Sequence, residues 1–325
     1  MTKRDRGAAA GTAGNPARRE PTLKWLAKVV FHWICLNAGP AGLRNSWLRL
    51  RRRTRCTILL YHRVNDVARD NLTTSLTRFT EHLVTVKRHY PVLSLTAAVA
   101  ALREGQYLGP NVVVITFDDG YADNHDCAAP VLERFGLPAT FFLAVGLVGS
   151  SQAFEHDHGS PHRFANLTWE QVRDLAARGF EIGSHALTHK NLAQCSLDEA
   201  RREIMESRAI LERMLGRPVH CFAYPFGGRH DVTPEVLREI CDAGFDVVAS
   251  AYGGVNAGRL DPLNVLRTGV SEAFDTLALR AKVEGVSFQD IGQRLADRRA
   301  ARRAASANPP ARQPMVERRE RHHSA

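Results

Sequence analysis

VVVITFDDGY (112–121) runs six β-branched or aromatic residues straight into two carboxylates and a glycine. An uninterrupted apolar run of that length reads as a strand buried on both faces, the habit of parallel sheets. Gly120 lets the backbone turn sharply, leaving Asp118 and Asp119 at the strand's end. Similar runs recur at TILLYH (57–62), ATFFLA (139–144), FEIGSH (180–185), CFAYPF (221–226), FDVVAS (245–250) and VLRTGV (265–270).

Between most of these lie helical patterns: FTEHLVTVKRHY (79–90), residues 126–135, TWEQVRDLAARG (168–179), residues 197–215 and TPEVLREICDAG (233–244). Alternating strands and helices imply an α/β fold with a parallel sheet. Seven or eight such units fit a closed or nearly closed barrel better than an open doubly wound sheet. No glycine-rich nucleotide loop follows any strand.

The chain carries a net charge of +10, and the excess is confined to its ends. Residues 57–293 hold 22 basic and 29 acidic side chains, so the expected folded part is mildly acidic and nucleic-acid binding by it is disfavoured. Residues 1–55 form a basic, partly apolar N-terminal segment. Within it LKWLAKVVFHWICLNAGPAGL (23–43) is broken by Lys24, Lys28, His32, Asn37 and Pro40 and followed by RLRRRTR (49–55). That pattern suits a helix lying on an anionic membrane surface, or one packed on the domain, better than a membrane span. The first 22 residues lack the apolar stretch of a secretory signal, so the expected location is cytoplasmic, with peripheral contact on the inner membrane face. Residues 291–325 read as a basic disordered tail. The six cysteines include no C-x-x-C pair, and a disulfide framework is not expected.

An Asp-Asp-Gly after a strand is by itself usually a solvated turn. SHALTH (184–189) changes that reading. His185 ends the FEIGSH strand and His189 follows at a spacing that sets two imidazoles on one side of a helical turn. Both motifs close predicted parallel strands, where barrel active sites assemble. One carboxylate and two imidazoles make a three-ligand site with a position open to water. The pattern assigns Asp119, His185 and His189 to a divalent metal and Asp118 to proton abstraction from water. Zinc suits these donors best; cobalt, nickel and iron suit them too.

With LLYHRV in the first strand, GLPATFFLAVG after the acidic motif, LTWEQVRDLAARGFEIGSH before the histidines and FAYPFG (222–227), the chain resembles the polysaccharide deacetylase family, the fourth carbohydrate esterase family, over about residues 56–285. The resemblance implies a NodB homology domain over 56–290, built as a distorted (β/α) barrel with about seven parallel strands. It implies removal of N-acetyl groups from N-acetylglucosamine-containing glycans, with the same roles for Asp118, Asp119, His185 and His189. In the family's third motif, here Tyr224, Pro225 and Phe226, the Phe226 backbone N–H would face the oxyanion.

Two positions depart from the family pattern. Ala223 stands where many members have an arginine that orients the base. No histidine lies between His230 and His322, so the late Leu-x-His acid is missing. In the branch resembling bacterial poly-N-acetylglucosamine deacetylases, a first-strand histidine takes that role, which here is His62. A related amidohydrolase acting on a small amide or lipid-linked sugar, and a degenerate glycan-binding barrel, are the competing readings. The histidines of AFEHDHGSPHRF (153–164) are not expected to form a second metal site, because a Gly- and Pro-containing loop lacks fixed geometry.

Overall fold

The computed structural model describes residues 23–37 and 39–287; the tail expected at 291–325 and residues 1–22 lie outside them. Seven strands carry the fold: β1 (Arg55–Tyr61), β2 (Asn111–Phe117), β3 (Thr140–Leu143), β4 (Glu181–Ser184), β5 (Cys221–Ala223), β6 (Val247–Ala249) and β7 (Arg267–Gly269). They pair in parallel in the order β7-β1-β2-β3-β4-β5-β6, each beside its predecessor except β7, which returns to β1. Ala249 also bridges to Val265, so the chain just before and within β7 touches both ends of the curled sheet. The barrel expected from the sequence is therefore present, with Asn256–Ala257 added antiparallel to β1.

Strand alternation sorts the residues. Cys56, Ile58, Val112, Val114, Phe142, Cys221, Ala223, Val247 and Ala249 share one cluster inside the barrel. The intervening Leu59, Tyr61, Val113, Ile115, Phe117, Phe141, Phe222 and Val248 face outward into a second, larger cluster. Continued by two residues at a time, the inward register reaches His62 from β1 and Asp118 from β2. This is the physical reason both side chains arrive at the barrel axis.

The outer cluster is covered by α3 (Leu76–His89), α5 (Ala129–Phe135), α6 (Trp169–Ala177), α7 (Leu197–Leu215), α8 (Pro234–Asp242) and α9 (Thr276–Val283). Helix α4 (Leu95–Arg103) instead sends Leu95, Ala98 and Leu102 into the inner cluster. Its first turn is held by Glu181 at the start of β4 (Leu95 N to Oε2, 3.1 Å), so α4 plugs the end at which the strands begin. A π-helical turn, Asn124–Ala128, precedes α5 and aims Asn124 Nδ2 at the His62 carbonyl, 2.7 Å away.

The apolar stretch at 23–43 is divided between two helices, α1 (Leu23–Asn37) and α2 (Pro40–Leu50), parted at Gly39 with Pro40 in the first turn of α2. Cys35 and Ala41 pack with Ala281 and Val286 at the end of α9. Arg44 and Asn45 bond Glu284, which also accepts from Asn111 at the start of β2. All six cysteines are unpaired thiols.

Candidate active site

The strand ends converge on a small cavity of about 190 Å³ lined by His62, Asp118, Asp119, His156, His185, His189, Tyr224 and Phe226. Its backbone is strained. Asp119 (φ 75°), His189 (φ 62°) and Phe226 (φ 64°) are non-glycine residues in the left-handed region, where L side chains are disfavoured. Each lies in the loop beyond the C-terminal end of a strand, two, five and three residues on, and lines the cavity.

Asp118 and Asp119 are both buried, yet they stand in opposite environments. Asp118 accepts a bidentate pair from Arg267, Nη1 to Oδ1 at 2.6 Å and Nη2 to Oδ2 at 2.8 Å. Burial alone would raise its pKa; the guanidinium charge and its hydrogen bonds outweigh that and bring it below the ordinary value. Asp119 receives no hydrogen bond at either oxygen from the described residues. Imidazole Nε2 atoms surround it instead: His189 at 3.4 Å, His156 at 3.5 Å and His185 at 3.6 Å.

Two buried acceptors without donors beside three imidazole nitrogens are what a cation would satisfy. One ligand atom each from Asp119, His185 and His189 lies within 4.8 Å of the others, so the donor set fits a divalent ion. His185 Nδ1 donates to the Ala223 carbonyl at 2.6 Å, which leaves its Nε2 lone pair turned to Asp119. Burial pushes the His185 pKa down to about 4, keeping it neutral, as a ligand must be. For His189, burial is outweighed by the facing Asp119 carboxylate and the pKa rises.

The SHALTH turn has a hidden brace. Buried Glu203 of α7 accepts from the amides of Leu187 (3.0 Å) and Thr188 (2.7 Å) and from the Thr188 hydroxyl (2.5 Å). His62 lines the cavity, as its register requires. Tyr224 and Pro225 are buried, whereas Phe226 is 55% exposed, its ring centre 5.3 Å from that of His189.

Sequence reasoning missed two participants. Arg267 donates two hydrogen bonds to Asp118, whereas the family pattern would place an arginine at position 223, where Ala223 stands. Arg267 comes from the opposite strand neighbour of β1 and lies over the Phe142 ring at 5.0 Å. His156 corrects the expectation that its loop lacks fixed geometry. Buried Arg63 pairs with Asp157, while the Tyr121 hydroxyl bonds Asp157 (2.7 Å) and His156 (2.8 Å), so the loop is tied to the barrel rim. His158 and His162 stay outside the cavity, lining the open clefts on either side of it.

Residues 105–248 match the family model described as polysaccharide deacetylase. The chain is 25% identical over 243 residues to YxkH of Bacillus subtilis (strain 168), a protein provisionally named a polysaccharide deacetylase, covering 74% of this chain and 81% of that one. It is also 25% identical over 237 residues to the poly-beta-1,6-N-acetyl-D-glucosamine N-deacetylase of Escherichia coli (strain K12), covering 62% of this chain but 35% of the relative. In fold it is similar to a Streptococcus pyogenes deacetylase in complex with acetate (TM-score 0.61, 23% identity, 70% of this chain and 98% of that one). IcaB from Ammonifex degensii is similar to the same degree (TM-score 0.60, 24% identity, 70% and 97%).

Proposed function

We propose that this chain, which carries a polysaccharide deacetylase domain, hydrolyses the N-acetyl groups of N-acetylglucosamine units in a poly- or oligosaccharide. The observation that carries the reading is the division of labour between adjacent carboxylates: Asp118 braced and ionised by Arg267, Asp119 with unmet acceptors facing three imidazoles, two of which, His185 and His189, complete a donor set with it. A binding-only barrel would have no need to keep a buried base ionised.

Asp119, His185 and His189 would hold a divalent ion, zinc by donor preference. Such an ion supplies Lewis acidity to an amide carbonyl and acidifies water. Asp118 accepts the proton of the attacking water, and Arg267 keeps that carboxylate oriented and charged until it does. As the new C–O bond forms, the Phe226 N–H donates to the carbonyl oxygen that becomes negative. His62, on the barrel axis beside Asp118, donates the proton that lets the C–N bond break, releasing acetate and a free amine on the sugar.

A sugar chain suits the surroundings better than a small amide. Open clefts continue from the cavity on two sides, one sharing His156 and lined by Arg63, Asn71 and Asp70, the other sharing His189 and Phe226 and lined by Gln194 and Asn191. Polar side chains flanking an exposed aromatic ring are suited to sugar hydroxyls and faces. The test is acetate release from N-acetylglucosamine oligomers of increasing length by zinc-loaded protein. Release that rises with length and stops on chelation is expected. Release from monomeric N-acetyl amides alone, by folded protein, would overturn the glycan assignment.

A further inference from the structure

We infer that α1 and α2 seat the protein on an anionic lipid surface, with the catalytic mouth turned away from it. Each helix presents an apolar stripe to solvent at i, i+4, i+7 spacing: Leu26, Val30 and Trp33 on α1, and Leu43, Trp47 and Leu50 on α2. Ile34 widens the first stripe, and Leu43 and Leu50 are 74% and 81% exposed. The opposite faces are already used. Cys35 and Phe31 of α1, and Ala41 of α2, pack in the cluster with α9, and Leu48 of α2 is buried. The outward stripes are therefore surplus to folding, and no described residue covers them. Exposed apolar stripes of this kind on two neighbouring helices mark a contact with another phase or partner.

Charge selects the occupant. Arg49, Arg51, Arg52 and Arg53 flank the end of the second stripe and are exposed, with the Arg53 guanidinium 5.8 Å from the Trp47 ring centre. From residue 21 to residue 65 the sequence contains no Asp or Glu. A second copy meeting this face about a two-fold axis would set arginines against arginines without carboxylates to pair them. Anionic headgroups over an apolar interior match both halves of the surface, tryptophan at the boundary and arginine on phosphate. No described helix is long and apolar enough to cross a bilayer, so the contact is made in the plane of the surface.

The fold then sets the orientation. Arg44 and Asn45 of α2 sit against Glu284 and Asn111, where β2 begins, whereas Asp118 and Asp119 follow its last residue. A strand of seven residues separates the two ends by roughly 20 Å. The mouth opens to the aqueous side and takes a dissolved glycan, not a headgroup still in the bilayer. That last statement rests on the deacetylase reading; the docking does not.

The experiment is co-sedimentation of the full chain with phosphatidylcholine vesicles, with and without phosphatidylglycerol, alongside sedimentation velocity without lipid. Binding is expected only to the anionic vesicles and is lost in high salt. Arg51→Ala with Arg52→Ala is expected to weaken it roughly 25-fold. Leu43→Glu with Trp47→Glu is expected to abolish it, with circular dichroism and acetate release from soluble oligomers unchanged. Folded wild type that ignores both vesicles, or variants that bind as wild type does, would overturn the inference. So would a dimer that the glutamate pair dissolves, since a second copy would then occupy the face. Loss of acetate release with vesicle binding intact would count against the catalytic reading alone.

Discussion

Asp118 and Asp119 are chain neighbours with matching burial and opposite electrostatic fates. Asp118 lies in strand register, points down the barrel axis and is saturated by a guanidinium. Asp119 lies one residue on, in left-handed backbone, and its oxygens meet imidazoles at 3.4–3.6 Å with no donor between. One carboxylate is complete within the protein and the other is not. A buried charge is tolerated only when compensated, so Asp118 is compensated from within the protein, whereas Asp119 has the unmet acceptors that the proposed cation would satisfy.

The contrast is broken most severely by converting each carboxylate to its amide in turn. Asp118→Asn should lower kcat by about 10²–10⁴-fold, the range for loss of a general base, while zinc affinity stays near wild type. Asp119→Asn should abolish turnover together with zinc binding, because it removes the proposed anionic ligand. Zinc titration by calorimetry beside acetate release separates the two. Equal loss of zinc in both variants would mean that the carboxylates share one role.

Arg267 sharpens the comparison next. Its charge holds the Asp118 pKa down, so in the wild type this carboxylate is ionised well below neutrality and, with Asp118 as the proposed base, the acidic limb of kcat/KM lies at low pH. Arg267→Lys keeps the charge but loses the fork that grips both oxygens. With weaker compensation the Asp118 pKa rises, so the acidic limb should move to higher pH and kcat should fall about 10-fold to 100-fold. Arg267→Met leaves the buried carboxylate uncompensated and should cost about 3–5 kcal/mol of stability by denaturant unfolding. An unmoved acidic limb in the lysine variant would assign that limb to a group other than Asp118.

The two halves of this pair were unequally legible in the sequence. FDDGY and SHALTH are local, and the apolar runs before them place Asp118, Asp119 and His185 just beyond strand ends; His189 lies five residues past its strand in a left-handed, non-helical turn rather than on the helical turn its spacing suggests. The barrel was legible for the same reason, its strands being short apolar runs at regular intervals. Arg267 stands 149 residues from Asp118, and only barrel closure, with β7 beside β1, brings them together. A signal was nevertheless present: VLRTGV sets an arginine inside a run read as a buried strand, and a buried guanidinium requires a carboxylate. YHRV holds the same signal in Arg63, which ties down the His156 loop through Asp157. Glu203 left no such mark, because on an amphipathic helix an acidic residue reads as solvated until the turn it caps is in place.

The smallest expected effect concerns His156, which lies as near to Asp119 as the two assigned ligands. Distance alone would make it a third imidazole ligand, but its hydrogen bond argues otherwise. The Tyr121 hydroxyl has one proton, and burial keeps that proton bound by raising the phenol pKa far above its ordinary value. Asp157 takes it at 2.7 Å. The 2.8 Å contact between Tyr121 and His156 Nε2 must then be donated by the imidazole, which leaves that nitrogen without a lone pair for a metal. His156→Ala should therefore change zinc affinity less than tenfold, whereas His189→Ala should exceed the about 10–100-fold loss typical of an outer-shell group. The His156 variant should instead raise KM severalfold for long oligomers with kcat little changed, because it walls the cavity where one cleft enters. A zinc deficit in His156→Ala equal to that of His189→Ala would make Asp119 the partner of three imidazoles and would require the Tyr121 contact to rearrange when the ion binds.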